Sequence, residues 1–454
     1  MKTNIKKLKL GYFQQISKVI LFLIICVLLS VPNLWASGFA LYENSSSGAG
    51  VCGAFVAQAD DTSAVFYNPA GMTQLDTFNV MTGFTSYTAT NIIEFESGEK
   101  EKLKGSTIPV PELYMSYGLN DKIWLGLGIF SPFGLSSEYD SDWKGRYNFY
   151  YGKTVCIEYN PSIALKFDTF SIAFGVSYQT FEVELKQKIQ PKTVIIKGIM
   201  ASGLDQANAL QLYEYQFAKV VDTLPDINQA VKADDNGWRY NIALLYKPCE
   251  KFSFGAHYRS KIKYNLEGDA AYSNVPQDPA LMLSSNIYNS SLSGKIELPD
   301  ILWVGAAYWF SEKLVAEFDV VRTGWSSYDK LEFNIKNGIG ATVVNKNWDD
   351  VYCYRLGIKY QLSECLVGRI GYLFDECPIP ESTVEYSMPA SDRHMFTLGL
   401  GYTYKKITFD THYAFITLAN PKDILARPED GIIEDSKVTD CYTHQLGFTI
   451  SYNM

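Results

Sequence analysis

The sequence predicts an all-β fold, a 14-stranded antiparallel transmembrane β-barrel with an N-terminal plug in its lumen. Three observations support this prediction. Apolar and polar residues alternate with period 2 in many segments, tight and long links between these segments alternate, and a compact stretch rich in small residues precedes the first segment.

Residues 1–36 have the pattern of a secretory signal peptide. Five lysines precede an uncharged apolar run at 19–31, and the small residue Ala36 follows. The run is shorter than the ~20 residues that a spanning helix needs, and no later run is longer. Cys26 follows two bulky isoleucines, unlike a lipoprotein processing site, so we expect it to be removed with the signal. We therefore expect a precursor exported through the periplasm to the bacterial outer membrane.

The composition of residues 37–75 predicts a compact plug. Glycine and alanine dominate this stretch, and its few bulky residues recur without period 2, so it can pack compactly inside a larger structure. Near its end, Asn68 precedes Pro69, and a residue before proline is pushed out of the helical region. An asparagine there can close a local turn.

The alternation of apolar and polar residues predicts that residues 76–454 form the barrel. From Phe252 to Leu266 the even positions are mostly apolar and the odd positions polar or cationic, and similar alternation marks other segments. We predict strands near residues 76–90, 106–119, 122–134, 147–167, 170–187, 238–247, 251–266, 291–310, 313–325, 348–361, 365–374, 391–404, 406–418 and 440–453.

A soluble β-sandwich shares this alternation with a membrane barrel. The composition, 15% aromatic with a mean hydropathy of −0.07, leaves both folds open. The links decide between them. Tight turns such as 119–122 and 167–170 alternate with long connections, which is typical of outer-membrane barrels with short periplasmic turns and long outer loops.

The longest predicted outer loop spans 190–237. Its apolar residues are spaced at three to four, which predicts partly helical structure. Two interpretations stay open for it: a lid packed on neighbouring loops, or an apolar surface on which a hydrophobic ligand lands.

Charge and cysteine content exclude several classes of protein. Loss of the five signal lysines changes the formal charge from −9 to −14, and no basic cluster remains, so we expect no nucleic-acid partner. The seven remaining cysteines contain no Cys-x-x-Cys pair, so we expect no metal and no cofactor. The four histidines lie near no Gly-x-Ser-x-Gly or His-Glu-x-x-His motif, so an enzyme is not predicted.

A series of short motifs follows one order along the chain, and together they resemble the FadL family of outer-membrane transporters, including its TodX-type branch. The motifs are Ser37-Gly38-Phe39-Ala40-Leu41, Asp60-Asp61, Asn68-Pro69-Ala70, Ser131-Pro132-Phe133-Gly134-Leu135, Trp143-Lys144-Gly145-Arg146-Tyr147, Asn160-Pro161-Ser162, Leu298-Pro299-Asp300, Gly324-Trp325-Ser326-Ser327, Asn347-Trp348-Asp349-Asp350, Phe374-Asp375-Glu376-Cys377-Pro378-Ile379-Pro380 and Pro389-Ala390-Ser391-Asp392-Arg393.

The resemblance implies passive uptake of long-chain fatty acids or similar hydrophobic compounds through a barrel with a lateral wall opening. The N-terminal plug is then the family's hatch, and the third strand opens the wall. Glycine relaxes a strand and proline deletes a ladder bond, although the glycines could instead make room for the hatch. The residues implied are Phe39, Asp60, Asp61, Asn68, Pro69 and Ala70 in the hatch, and Gly126, Gly128, Pro132, Phe133 and Gly134 at the opening.

Side-chain parity predicts a charge cluster in the lumen. Arg259 and Lys261 share a strand face, and Arg369 and Arg393 also fall on inward positions, with Asp375 orienting one arginine. Two interpretations stay open: the cluster binds the anionic head group of a ligand, or the hatch acids Glu43, Asp60 and Asp61 neutralise it.

The partners predicted are a long-chain fatty acid or another hydrophobic ligand, outer-membrane lipid and lipopolysaccharide, and we expect a monomer. The alternatives are an aromatic hydrocarbon channel of the same family, or an outer-membrane enzyme or adhesin barrel. A non-specific porin is disfavoured by the plug. The chain ends on Met454, whereas such barrels usually end on an aromatic residue, so we expect less efficient assembly.

Overall fold

The computed structural model describes residues 38–105, 107–281, 283–337, 340–388, 391–419 and 421–454. The predicted signal peptide, Ser37, Pro389 and Ala390 lie outside the described residues. Among the residues described, no helix is long and apolar enough to cross a membrane.

The fold is a single antiparallel sheet that closes on itself. The strands are β1 Phe78–Phe95, β2 Lys100–Lys102, β3 Thr107–Asn120, β4 Ile123–Phe130, β5 Gly134–Glu138, β6 Tyr151–Lys166, β7 Phe170–Ile189, β8 Ile227–Cys249, β9 Phe252–Arg259, β10 Ile262–Ser273, β11 Ser290–Leu298, β12 Ile301–Ser311, β13 Leu314–Thr323, β14 Lys330–Ile335, β15 Gly340–Asn345, β16 Val351–Gln361, β17 Leu366–Asp375, β18 Asp392–Tyr404, β19 Ile407–Ala419 and β20 Ser436–Asn453.

Several strands of the barrel wall are interrupted and so count as two of the strands given above. The barrel therefore has fewer wall strands than the sheet has numbered strands. β4 with β5, β9 with β10, β11 with β12, β13 with β14, and β15 with β16 each form one wall strand, and β2 pairs only with the end of β1. β1 pairs with β20 from Asn79–Asn453 to Phe95–Ser436, which closes the barrel. The described residues therefore form the predicted closed 14-stranded barrel.

The two faces of the wall have opposite polarity. In β18, Phe396, Leu398 and Leu400 are 52 to 61% exposed, whereas the intervening Thr397 is buried. The same alternation recurs around the barrel, so the outer face is apolar and the inner face carries polar and charged side chains. A soluble sandwich shows the reverse arrangement, so this polarity identifies a membrane barrel.

The last strand is fully paired although it does not end on an aromatic residue. Tyr452 lies opposite Val80 on one side and Ile407 on the other, and the Met454 amide donates to the Phe78 carbonyl at 2.9 Å. The lower assembly efficiency expected from Met454 stays a prediction.

Helices are short and lie outside the wall. Two belong to the N-terminal segment, α1 Ser46–Ala49 and α2 Ala64–Tyr67, and a 3-10 turn follows at Pro69–Gln74. The long outer loop contains α3 Pro191–Ala201, α4 Gln206–Gln216 and α5 Ala218–Val221, and α6 Leu283–Asn286 lies in a later loop.

The long outer loop is shorter than predicted. β8 begins at Ile227 rather than near 238, because Ile227, Val231 and Ala233 continue the inward-facing row of the strand. The helices pack on each other and on the next loop through Ile195, Tyr213 and Leu283. Tyr215 and Val220 remain exposed on the outer side.

Candidate functional site

The N-terminal segment from 38 to 74 lies against the inner face of the barrel and is almost wholly buried. Asn68 fixes a turn near the end of this segment. The Asn68 side chain accepts a hydrogen bond from the Ala70 amide at 3.1 Å, and its amide group donates to the carbonyls of Val56 at 2.6 Å and Leu244 at 3.0 Å. Because Leu244 belongs to β8, Asn68 ties the segment to the wall, and Pro69 and Ala70 are buried beside it.

Two carboxylates of β13 hold the middle of this segment. The amides of Phe55 and Val56 donate to Asp319 Oδ2 at 2.9 and 3.1 Å. The amides of Ala57 and Gln58 donate to Glu317 Oε1 and Oε2 at 2.6 and 2.8 Å. Four consecutive backbone donors, which have no partners in regular secondary structure, are thus satisfied by one strand.

Glycines in the wall permit this close approach. A Cβ at Gly255 would lie 2.0 Å from the Val56 carbonyl oxygen, and a Cβ at Gly305 would lie 1.8 Å from an Asp319 carboxylate oxygen. Within the segment, Gly53 has φ 69° and its Cβ position lies 2.2 Å from Arg355 Nη1. Any larger residue at these three positions would push the segment away from the wall.

The two acids of the Asp60-Asp61 motif have different environments. Lys359 Nζ of β16 lies 2.5 Å from Asp60 Oδ2. Burial would raise the pKa of Asp60, but the charge and hydrogen bond of Lys359 lower it below its ordinary value. The pKa of Asp61 is raised by burial, although hydroxyl donors at Ser47 and Ser63 partly offset this effect.

The wall ladder has a gap between β3 and β5. Pairing of β3 with β4 ends at Leu113–Ile129, and β5 pairs only with β6. At the other end, the Lys104 amide donates to the Glu138 carbonyl at 2.8 Å. Between these points, residues 107–112 and 131–137 form no ladder with each other among the described residues. We call this opening the wall gap.

The predicted opening residues fall into two groups. Pro132, Phe133 and Gly134 lie at the edge of the wall gap. Gly126 and Gly128 do not, because they pair with Ser116 and Tyr114 in the intact ladder. A Cβ at Gly126 would lie 2.4 Å from Met72 Sδ, and one at Gly128 would lie 3.1 Å from Val65 Cγ1. These two glycines make room for the hatch.

The start of the N-terminal segment occupies the edge of the wall gap. The Leu41 amide donates to the Pro132 carbonyl at 2.9 Å, and the Gly134 amide donates to the Phe39 carbonyl at 3.1 Å. The Phe39 ring packs 4.9 Å from Trp325 and 5.9 Å from Phe133, measured between ring centres. Residues 39–41 therefore take the place of the missing wall partner.

An internal cavity of about 210 Å³ adjoins the same residues. Residues 38–43 form one side, residues 134–137 at the wall gap form another, and apolar side chains such as Leu373, Met395 and Ile416 line much of the rest. Three charged residues also reach it, Glu43, Asp375 and Arg393. The cavity thus joins the hatch, the wall gap and an ion pair.

The predicted charge cluster is not formed as one group. Arg259 Nη1 lies 3.3 Å from Glu158 Oε1, Arg369 Nη1 lies 2.7 Å from Asp410 Oδ1, and Arg393 Nη2 lies 2.5 Å from Asp375 Oδ2. The carboxylates that pair with these arginines come from the wall. Asp375 and Arg393 are direct cross-strand neighbours, and the orienting role of Asp375 stays a prediction.

The prediction for Lys261 is wrong. Its side chain is exposed on the outer side and lies 2.7 Å from Glu297 Oε1. Residues 260 and 261 interrupt the wall strand between β9 and β10, and this irregularity shifts the parity by one. Arg259 therefore faces inward before the break, and Ile262 and Tyr264 face inward after it.

Sequence reasoning missed several buried charged residues of the inner face, among them Arg239, Glu317, Asp319 and Arg355. The alternation of inward and outward side chains along each strand could have identified them. Arg239 lies between the outward residues Trp238 and Tyr240, and Glu317 and Asp319 flank the outward Phe318. Arg355 lies 4.4 Å above the Tyr42 ring of the hatch.

The apolar outer face, the closed sheet, the internal segment and the wall gap together define a plugged β-barrel of the bacterial outer membrane. The family model described as "Outer membrane protein transport protein (OMPP1/FadL/TodX)" matches residues 27–436, and the chain belongs to this family.

Curated relatives cover most of the chain. A "Long-chain fatty acid transport protein" of Escherichia coli O6:H1 is 26% identical over 402 residues, which are 85% of this chain and 87% of that protein. "Outer membrane protein P1" of Haemophilus influenzae is 27% identical over 425 residues, 86% of this chain and 88% of that protein.

Solved structures share the fold. The crystal structure of a Pseudomonas aeruginosa FadL homologue has a TM-score of 0.77 at 18% identity and covers 92% of this chain and 100% of that one. The toluene transporter TodX of P. putida has a TM-score of 0.67 at 18% identity, with 93% of this chain and 99% of that one covered.

Proposed function

We propose that this protein takes up long-chain fatty acids or similar hydrophobic compounds across the bacterial outer membrane, passively and without a catalytic step. The observation that carries the proposal is the shared lining of the cavity and the wall gap. Residues 134–137 border both, and residues 39–41 line the cavity and are hydrogen-bonded to the edge of the gap. Displacement of the start of the N-terminal segment would therefore let a ligand pass from the cavity through the wall gap into the membrane.

The apolar cavity meets a physical need. The outer leaflet of lipopolysaccharide is polar at its surface, and a water-filled channel offers no apolar contact to an acyl chain. Apolar side chains in the cavity keep that chain out of water, at about 25 cal/mol for each Å² buried. Exit through the wall gap then delivers the ligand directly into hydrocarbon, so the ligand's own gradient can drive transport.

The hatch and the charged residues have distinct roles in this proposal. Phe39, Asp60, Asp61, Asn68, Pro69 and Ala70 keep the lumen closed, and Pro132, Phe133 and Gly134 form the exit. Of the arginines and the lysine in the predicted charge cluster, Arg393 lines the cavity, together with Asp375. Arg259 and Arg369 lie on other parts of the wall with their own carboxylates. The protein acts as a monomer surrounded by lipid and lipopolysaccharide.

The names of the relatives support two ligand classes, since one is called a long-chain fatty acid transport protein and another a toluene transporter. We favour fatty acids because charged residues reach the cavity. An aromatic hydrocarbon would need no such contact, and it would bind with the same affinity after the charges are removed.

The wall gap can be tested by closing it. Cys249 and Cys365, the exposed cysteines, are first changed to serine. Cysteines are then placed at Val110 and Ser136, on opposite edges of the gap, and joined by a short bis-maleimide. The control joins cysteines at Met115 and Leu127, which already face each other in the intact ladder.

We expect the bridge across the gap to abolish uptake of a labelled long-chain fatty acid by cells that lack their own transporter, and the control bridge to leave uptake intact. Undiminished uptake with the gap bridged would show that ligand does not leave through the wall.

A further inference from the structure

We propose that Arg239 binds the carboxylate of an anionic amphiphile inside the barrel, beside the wall gap. This inference rests on the proposed uptake function and names the chemical class of its ligand. It assigns the head-group contact to a residue other than the arginines predicted from the sequence.

Arg239 is a buried cation with unused hydrogen-bond donors. Its side chain is 1% exposed. Among the described residues, none accepts a hydrogen bond from Arg239 Nε, Nη1 or Nη2. Its ion-pair partner is Glu158, whose Oε2 atom lies 3.8 Å from Nη1, beyond hydrogen-bond distance. A guanidinium offers five N–H donors in a planar fork that matches a carboxylate.

Glu158 is already occupied by other donors. Ser177 Oγ donates to Oε1 and Gln179 Nε2 donates to Oε2, both at 2.7 Å. Arg259 Nη1 also donates to Oε1, at 3.3 Å. Arg239 and Arg259 therefore share one carboxylate that also accepts hydrogen bonds from two other side chains. A buried positive charge without its own counter-charge is costly, and a second carboxylate would balance it.

The polar surroundings of Arg239 suit an oxyanion. Asn241, two residues further along the same inward row, is 1% exposed, and its side-chain nitrogen has no acceptor among the residues described. Arg259 Nε likewise has no acceptor in this part of the chain. Asn241 and Arg259 are cross-strand partners, so further unused donors lie near a carboxylate bound by Arg239.

The site adjoins the exit. Glu158 is the cross-strand partner of Phe130, the last residue of β4 before the strand breaks at the wall gap. The Arg259 guanidinium lies 4.8 Å from the Phe130 ring centre and 4.7 Å from the Phe66 ring centre. Aromatic surface for the first carbons of a tail therefore lies next to the charged groups.

The test compares decanoate with decanol, which has the same chain and no charge. Binding of each to the purified barrel in lipid nanodiscs is measured by calorimetry. The parent is compared with Arg239→Gln, Arg239→Lys and Glu158→Gln. Arg322→Gln is the matched control, because Arg322 already pairs with Asp300 and Asp350 outside this site. Heat-modifiable migration on gels confirms that each variant is folded. Acetate and inorganic phosphate serve as tail-free anions.

We expect the parent to bind decanoate about ten-fold more tightly than decanol, as for one charge-assisted contact. Arg239→Gln should bring the two affinities together without weakening decanol. Arg239→Lys should keep part of the preference, Arg322→Gln should keep all of it, and Glu158→Gln should increase it because a competing negative charge is removed. Competition by acetate or phosphate in the parent and not in Arg239→Gln supports the same anion site.

An undiminished preference for decanoate in folded Arg239→Gln would overturn the inference, as would a weaker preference in Glu158→Gln. Equal affinities for acid and alcohol in the parent would also overturn it while leaving hydrophobic uptake in place. Failure of both ligands to bind the parent would instead refute the proposed function.

Discussion

The contact between β13 and the middle of the hatch makes a sharp prediction, because Glu317 and Asp319 use their oxygens differently. Glu317 accepts the Ala57 and Gln58 amides with two separate oxygens. Asp319 accepts both of its amides with Oδ2 alone. A glutamine or asparagine keeps one acceptor oxygen and replaces the other by an NH₂ donor.

Glu317→Gln therefore loses one hydrogen bond and points a donor at a backbone N–H group. The loss of a charge-assisted bond with a buried donor left unpaired costs about 2 to 3 kcal/mol. Asp319→Asn can keep both bonds and loses only the charge, about 1 kcal/mol. At about 1.4 kcal/mol for each factor of ten, the displaced hatch becomes roughly 30- to 150-fold more populated in Glu317→Gln and about five-fold more in Asp319→Asn.

Single-channel recording in planar bilayers measures this population as the open probability for small ions. Hydrogen exchange at residues 55–58 gives an independent measure of the same bonds. The control is Glu112→Gln, a buried inward glutamate of β3 that accepts no hydrogen bond from the hatch amides among the described residues. A larger effect from Asp319→Asn than from Glu317→Gln would refute the assignment of these bonds to individual oxygens.

Two further predictions concern the hatch. Deletion of residues 37–73 should leave a barrel that inserts but conducts small ions, because the wall strands pair with one another and the backbone of the segment joins them at the wall gap; planar-bilayer conductance no higher than in the intact protein would show that the segment is not a plug. Asp60→Asn should loosen the hatch near neutral pH. Lys359 lowers the pKa of Asp60 below its ordinary value of 3.8. The Asp60–Lys359 ion pair therefore stabilises the bound hatch above that pH, and this stabilisation is lost as the pH falls below it. Conductance at about pH 3 should then rise in the parent and change less in Asp60→Asn, and an equal rise in both would exclude Asp60 as the titrating group.

The barrel could be predicted from the sequence because its signals are local. Side-chain direction alternates with every residue of a strand, and the tight turns are a few residues long. The Asn68-Pro69 turn could be predicted for the same reason. The hatch contacts of that turn could not, since Val56 and Leu244 accept its hydrogen bonds from distant parts of the chain.

Parity arguments failed where a strand is interrupted. The break at residues 260 and 261 reversed the direction of Lys261, and nothing in the alternation of neighbouring residues marks it. The glycines of β4 could be read in two ways, and only the position of Met72 and Val65 showed that they accommodate the hatch.

Two prolines of β3 could have indicated the wall gap from the sequence. Pro109 and Pro111 of β3 pair with Ser86 and Phe84 of β1. Because proline has no N–H group, it is tolerated in a strand where its nitrogen faces away from the paired neighbour. Pro109 and Pro111 therefore leave the opposite edge of β3, which faces β4 and β5, without two N–H donors. The ladder between β3 and β4 ends on this edge, at Leu113.

The two parts of the hatch are held by different kinds of interaction, and this suggests how ligand could pass without an ion leak. Four amides in the middle bind buried carboxylates, whereas residues 39–41 form two neutral backbone bonds at the wall gap, each worth about 1 kcal/mol. In the same part, Phe39 packs against aromatic rings. An acyl chain in the cavity can replace Phe39 against those rings, so the apolar burial lost on displacement is recovered. The start of the hatch can therefore exchange with ligand while the middle stays bound and the lumen stays closed.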